Sequence, residues 1–240
     1  MPMNLSHTYH RKKRFLLTAT VLWAAFSFWG CGSDELPLKK IEKSLANVPE
    51  YSIILEDMKE EGNFFKEYSH QYKLVKPDSA VDKGWFEVPE NFYRANENFL
   101  GMAIAGRKEG ELIEAAAPAI YPYVGDSRYG HWQSDTRGDI WRFYPTFPLF
   151  IPMGFDRHPP VYRTDFNAYR NSVSGKIPYY GPENQYGTNG AFTKKSKPDF
   201  FARRMAKESL KKASFSEKVS SRVGRTKTAG VRGRSGGSGK

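Results

Sequence analysis

Phe64-Phe65-Lys66-Glu67-Tyr68-Ser69-His70-Gln71-Tyr72-Lys73-Leu74 alternates, with Tyr68, His70, Tyr72 and Leu74 on one side and Glu67, Ser69, Gln71 and Lys73 on the other. Successive side chains of a strand point to opposite faces, so a period of two predicts an antiparallel strand with one face in a core. Just upstream, Tyr51-Ser52-Ile53-Ile54-Leu55 carries the aromatic and β-branched residues that strands favour. The acidic stretch from Glu56 to Gly62-Asn63 separates the two and turns the chain, so the pair is expected as a hairpin. His70 falls on the apolar side, where a core histidine is expected rather than a metal ligand.

Short elements flank this hairpin. Pro37 suits a first helical turn, and Leu38, Ile41, Leu45 and Val48 follow at roughly helical spacing until Pro49 breaks the run. Pro89 to Leu100 is expected as a second helix. Met102-Ala103-Ile104-Ala105 and Leu112-Ile113-Glu114-Ala115 flank Lys108-Glu109-Gly110, a polar loop ending in the glycine that a hairpin turn prefers. The order helix, strand, strand, helix, strand, strand predicts an α+β domain, a small antiparallel sheet with one or two packing helices.

From Pro118 to Phe155 the chain is crowded with rings, among them Tyr121, Tyr123, Tyr129, Trp132, Trp141, Phe143, Tyr144, Phe147 and Phe150. Five interspersed prolines argue for loops, with one short element near Asp139 to Tyr144. Aromatic side chains dominate cores and interfaces alike, so two readings stand: the rings close a core, or Tyr129, His131, Trp132, Trp141 and Tyr144 line a ligand surface. Residues 159–193, rich in Tyr, Gly, Pro and Asn, are expected as a disordered linker. Pro198 to Ala213 has the spacing of a transient helix, and the Arg, Lys, Ser and Gly beyond it are expected to be unfolded.

The N-terminus has a different composition. Arg11 to Arg14 are four consecutive basic residues, Phe15 to Gly30 is a 16-residue run without charge, and polar chemistry resumes after Cys31, the only cysteine. A spanning helix needs about 20 apolar residues, so the run has the length of a cleaved signal. Phe28-Trp29-Gly30-Cys31 resembles the cleavage site of bacterial lipoprotein precursors. That resemblance implies cleavage between Gly30 and Cys31, lipidation of Cys31, and attachment to a membrane of the cell envelope: the outer membrane where the host has one, otherwise the outer face of the plasma membrane. With a single thiol, no intrachain disulfide and no zinc finger of paired cysteines can form.

The domain plan expected is therefore a signal at 1–30, a tether at 31–36, an α+β domain at 37–158, a linker at 159–193 and a basic, largely disordered tail at 194–240. Charge divides along the same lines. The tail carries 15 Lys and Arg against three acids, a net of +12, whereas residues 31–193 are at −5. Such asymmetry points to an arm that seeks polyanions, with Arg203, Arg204, Lys207, Lys211, Lys212, Arg222, Arg225, Arg232 and Arg234 as its candidate contacts. In an exported protein, anionic lipid or envelope polymer is the nearer partner and nucleic acid is disfavoured. Tyr123 to Trp132, Trp141-Arg142-Phe143-Tyr144 and Arg232 to Lys240 resemble segments of a group of exported bacterial proteins of unknown activity, which implies export and no particular chemistry.

Signals for catalysis are weak. His131, Asp135, Asp156 and His158 are the best set for a metal but lack any compact ligand spacing, and no G-x-S-x-G elbow occurs. The terminal glycines lack the preceding strand and following helix of a phosphate-binding loop. Neither a catalytic residue, a metal nor a cofactor is assigned. The expectation is a non-enzymatic, lipid-anchored envelope protein that binds anionic surfaces or partner proteins through its tail. The alternatives are an exported hydrolase or glycan-processing enzyme with its site in 121–158, and a polyanion or nucleic-acid binder.

Overall fold

A computed structural model describes residues 35–62 and 64–229, with side chains to 222. The signal, Gly30, Cys31, Arg232 and Arg234 lie outside the described residues, as does the side chain of Arg225. The chain divides into two units, 1–41 and 42–240. Of the first, only the segment 35–41 is described, and it enters helix α1 (Pro37–Ser44).

The second unit is α+β. Strands β1 (Tyr51–Glu61), β2 (Glu67–Lys76), β3 (Ser79–Glu87), β4 (Met102–Lys108), β5 (Glu111–Ile113) and β6 (Ala117–Pro118) form one antiparallel sheet in the order β3-β2-β1-β4-β5, with β6 also paired to β4. The anticipated β1–β2 hairpin is present, with Ile53 opposite Leu74 and Met58 opposite His70. Along β2 the buried positions are Tyr68, His70, Tyr72 and Leu74, joined by Val75, and the polar alternates are partly exposed or exposed. Helix α2 (Glu90–Asn96) covers this face, setting the Tyr93 ring tilted at 5.0 Å from Tyr68 and the Phe92 ring tilted at 5.6 Å from His70.

Central position explains the continuous burial of Tyr51 to Leu55. β1 has strand neighbours on both sides and packing on both faces, so its apolar run does not alternate. From β4, the Lys108 ammonium donates to the Pro122 carbonyl at 2.5 Å, which ties the aromatic region to the sheet. The β4–β5 turn is Glu109-Gly110, both with positive φ, the backbone twist that a two-residue hairpin loop requires. β3 was not expected: Ser79 to Glu87 is an edge strand, largely exposed, and therefore has no apolar alternation to betray it.

Past the sheet, β7 (Gly130–Asp135) and β8 (Gly138–Phe143) form a separate hairpin with Trp132 opposite Trp141. The rings of this region pack inward. Tyr123, Tyr129, Phe143, Phe147 and Phe155 form one cluster, with centroid separations down to 4.5 Å. The expected linker is a correction. Residues 159–193 contain helix α3 (Arg163–Ser174), buried Val161, Tyr169, Tyr186, Thr188 and Thr193, and the start of helix α4 (Ala191–Ser196). Tyrosine supplies the apolar area that aliphatics usually provide: Tyr121 contacts Tyr169, Tyr179 and Tyr186 edge-on at 5.2–6.3 Å. The folded body accordingly continues past residue 158, the boundary expected from the sequence. Finally, helix α5 (Pro198–Ala229) begins at the expected proline but runs well past Ala213. Among the described residues no helix is long and apolar enough to cross a membrane.

Candidate functional site

The five residues considered as a ligand surface do not share one. Strand alternation sends His131 and Trp132 to opposite sides of β7. His131 and Tyr144 stack at 5.5 Å and are exposed, whereas Tyr129 and Trp141 are buried at 4% and 5% exposure. Trp132 is half-buried between Trp141 and the Arg163 guanidinium, which lies 4.2 Å above its ring. Most of this aromatic set is thus core or core margin.

Histidines and carboxylates elsewhere are also engaged. His158 is half-buried, packs against Phe192 at 4.5 Å and has its Nδ1 3.3 Å from the Tyr186 hydroxyl, whereas His131 and Asp135 are exposed. Among the described residues no group of three or more His, Cys, Asp or Glu is arranged to hold a metal ion. A groove of about 1650 Å³ between the β4–β5 turn and α3 is lined by Glu50, Lys108, Asp126, Arg128 and Arg170. At its centre Arg128 donates to Asp126 at 2.6 Å and to Glu50 at 2.9 Å, and the Tyr129 hydroxyl donates to Glu50 at 3.1 Å. The Arg128 hydrogen bonds hold the Asp126 carboxyl below its usual range.

The tail residues form the most organised charged assembly. β1 carries Glu56, Asp57 and Glu60 in its second half, and each meets a cation from the C-terminal segment. Lys197 pairs with Glu56, which also receives Lys73 at 3.2 Å. Arg203 Nη2 donates to both oxygens of Asp57. Lys207 donates to the Glu60 carbonyl at 2.6 Å and lies 3.4 Å from its carboxylate, which Lys66 shares at 2.9 Å. Burial pushes the Glu56 carboxyl up, but Lys197 and Lys73 outweigh it and hold the group below its usual range. At Glu60 burial acts the same way and is outweighed by Lys66 and Lys207.

Partners advance together along the two elements. Lys197 stands just before α5, and Arg203 and Lys207 follow within its first three turns, so the segment meets three carboxylates of one strand in order. Arg203 and Lys207, expected as polyanion contacts, are here docked to the protein's own acidic strand. Arg204 pairs with Glu208 one turn on at 3.4 Å. Lys211, Lys212 and Arg222 lie in a stretch, 209–222, in which every residue is exposed.

Sequence reasoning missed the acidic half of this assembly, because Glu56 to Glu61 read as a turn in which charge means solvation. A signal was present: a mildly acidic body beside a strongly basic segment invites self-pairing. Comparison with protein-family models, curated proteins and solved structures finds no match for this chain.

Proposed function

We propose that this is a lipid-anchored protein of the bacterial cell envelope, held through Cys31, whose C-terminal basic helix engages an anionic surface. The observation that carries this reading is the division of charge along α5. Once Lys197, Arg203 and Lys207 have met the acids of β1, residues 209–240 retain nine Lys and Arg against Glu217 alone, a net of +8. Every residue from Ser209 to Arg222 is exposed, so Lys211, Lys212, Lys218 and Arg222 stand on the outside of the helix. Each cation near an anionic membrane contributes about 1 kcal/mol, and salt screens it over about 10 Å.

The N-terminal sequence supplies the second attachment. Acyl chains contribute about 0.8 kcal/mol per buried methylene, and stable anchoring takes more than one signal. Two or three chains on Cys31 together with a cationic helix meet that requirement. The role is one of binding and placement rather than catalysis.

Two measurements test this. Lipid labelling with fractionation should recover acylated wild type in membranes and unlabelled Cys31→Ala outside the anchored pool; an unmodified Cys31 in the wild type sinks the anchor. Salt-dependent association with anionic vesicles should fall when Lys211, Lys212, Lys218 and Arg222 are replaced by Glu, and undiminished association sinks the helix.

A further inference from the structure

The loop joining β1 to β2 exposes two adjacent phenylalanines, Phe64 at 97% and Phe65 at 90%. Neither has an aromatic partner among the described residues within the second unit's ring clusters, and both stand at the tip of a long hairpin rather than against its core. Scattered exposed apolar residues are ordinary, but two fully solvated phenylalanines side by side lose the hydrophobic free energy of both rings at once. Gly62, two residues before Phe64, has φ +82, a backbone conformation that ends the extended run of β1.

What stands beside the tip identifies its partner. Lys66, the next residue after Phe65, shares the Glu60 carboxylate with Lys207 of α5. The ladder of ion pairs runs toward the tip as α5 proceeds, and Lys211, one turn beyond Lys207, lines a pocket with Glu61 at the end of β1. The helix therefore leaves the body at the end of the molecule where Phe64 and Phe65 project. Its next turns place Lys211, Phe215, Lys218 and Arg222 at i, i+4, i+7 and i+11, with Lys212 and Val219 on the same broad side. Phe215 is 70% exposed. The opposite side at this level is Ser209, Ala213, Ser216 and Ser220, small residues with nothing to insert.

Apolar rings framed by lysines and arginines match the chemistry of one surface. An anionic bilayer offers headgroups to the cations and an acyl boundary to the rings, while long basic side chains reach back to the headgroups. A soluble anionic polymer would answer the charge and leave Phe64 and Phe65 in water. Resting on the anionic-surface reading above, we propose that the Phe64-Phe65 tip inserts into an anionic lipid bilayer, with the cationic side of α5 lying on the headgroups next to it.

A local probe tests insertion separately from attachment. In the full chain carrying Cys31→Ser, an environment-sensitive fluorophore is attached through Phe65→Cys or, as a control, through Asp78→Cys in the exposed β2–β3 turn at the far end of the hairpin. With vesicles of phosphatidylglycerol and phosphatidylcholine, the probe at position 65 should shift to the blue and be quenched by lipid-borne quenchers, while the probe at 78 should do neither. With soluble polyphosphate, position 65 should show no blue shift. In unlabelled chain, Phe64→Ser with Phe65→Ser should weaken the vesicle association specific to the tip at least about tenfold, leaving polyphosphate association unchanged. Salt-dependent association without a shift at 65, or equal shifts at 65 and 78, overturns insertion while leaving the anionic-surface reading standing. Loss of all salt-dependent association removes that reading and the inference with it.

Discussion

Arg203 Nη2 lies 2.7 and 2.6 Å from the two carboxylate oxygens of Asp57, joining positions 146 residues apart in the chain. The arginine is half-exposed, so the pair adds at most about 1 kcal/mol to stability. Its consequence is positional: with Lys197–Glu56 and Lys207–Glu60 it decides where α5 leaves the body.

Arg203→Ala combined with Lys207→Ala should therefore loosen α5 without unfolding the sheet. Limited trypsinolysis between Arg204 and Arg222 should accelerate, and the wild type should respond the same way near 1 M salt, where screening reaches about 3 Å. The global melting midpoint should move little. Protection that survives both changes would mean that something other than these ion pairs holds the helix.

His70 and His158 make the fold sensitive to mild acid. Burial pushes each imidazole down to about 4, against partial compensation at His158 from the Met153 backbone and Asp156. The unfolded chain binds these protons near pH 6.5, so stability is full above that value and falls as pH drops toward 4. For fully buried His70 the loss at pH 4 is on the order of 3 kcal/mol. Denaturant titrations between pH 6.5 and 4.5 should show a slope approaching two protons in the wild type and about one proton less in His70→Gln. An unchanged slope would show that His70 protonates as easily in the fold as outside it.

Tyr186 lies in the segment whose composition suggests disorder, yet it is 3% exposed and contacts Tyr121, His158 and Phe192. Tyr186→Ala should cost about 3–5 kcal/mol, the loss typical of a large buried ring. Tyr144→Ala, at an exposed ring, should stay within about 0.5 kcal/mol. Similar thermal midpoints for the two variants would place 159–193 outside the folded body.

Two glycines with positive φ separate conformational strain from collision. Gly110, φ +86, has open space where a Cβ would stand, so Gly110→Ala should cost about 1 kcal/mol. At Gly125, φ +82, a Cβ would come within 2.8 Å of the Phe166 ring, and Gly125→Ala should cost appreciably more. Equal costs by chemical denaturation would mean that Phe166 gives way freely.

Legibility of the fold followed burial. β2 was readable because one face is buried and the other wet, which writes the pleat directly into residue order. The β4–β5 hairpin was readable because Glu109-Gly110 carries turn chemistry locally. β3 was invisible because an exposed edge strand asks little of its side chains. Residues 159–193 misled for the opposite reason: tyrosine, glycine and asparagine read as polar and flexible until Tyr121 supplies distant rings for them to pack on. The aromatic candidates resolved into core and rim only once strand alternation was fixed in space.

By itself the order of residues determined the α+β class, the first hairpin, the start of α5 and the separation of an acidic body from a basic end, all properties of local periodicity and composition. Tertiary structure alone decided which charges cancel and which face outward. Coulomb pairing depends on distance in space, and Glu56, Asp57 and Glu60 come within reach of Lys197, Arg203 and Lys207 only because the second half of β1 and the start of α5, with the residue before it, are laid side by side.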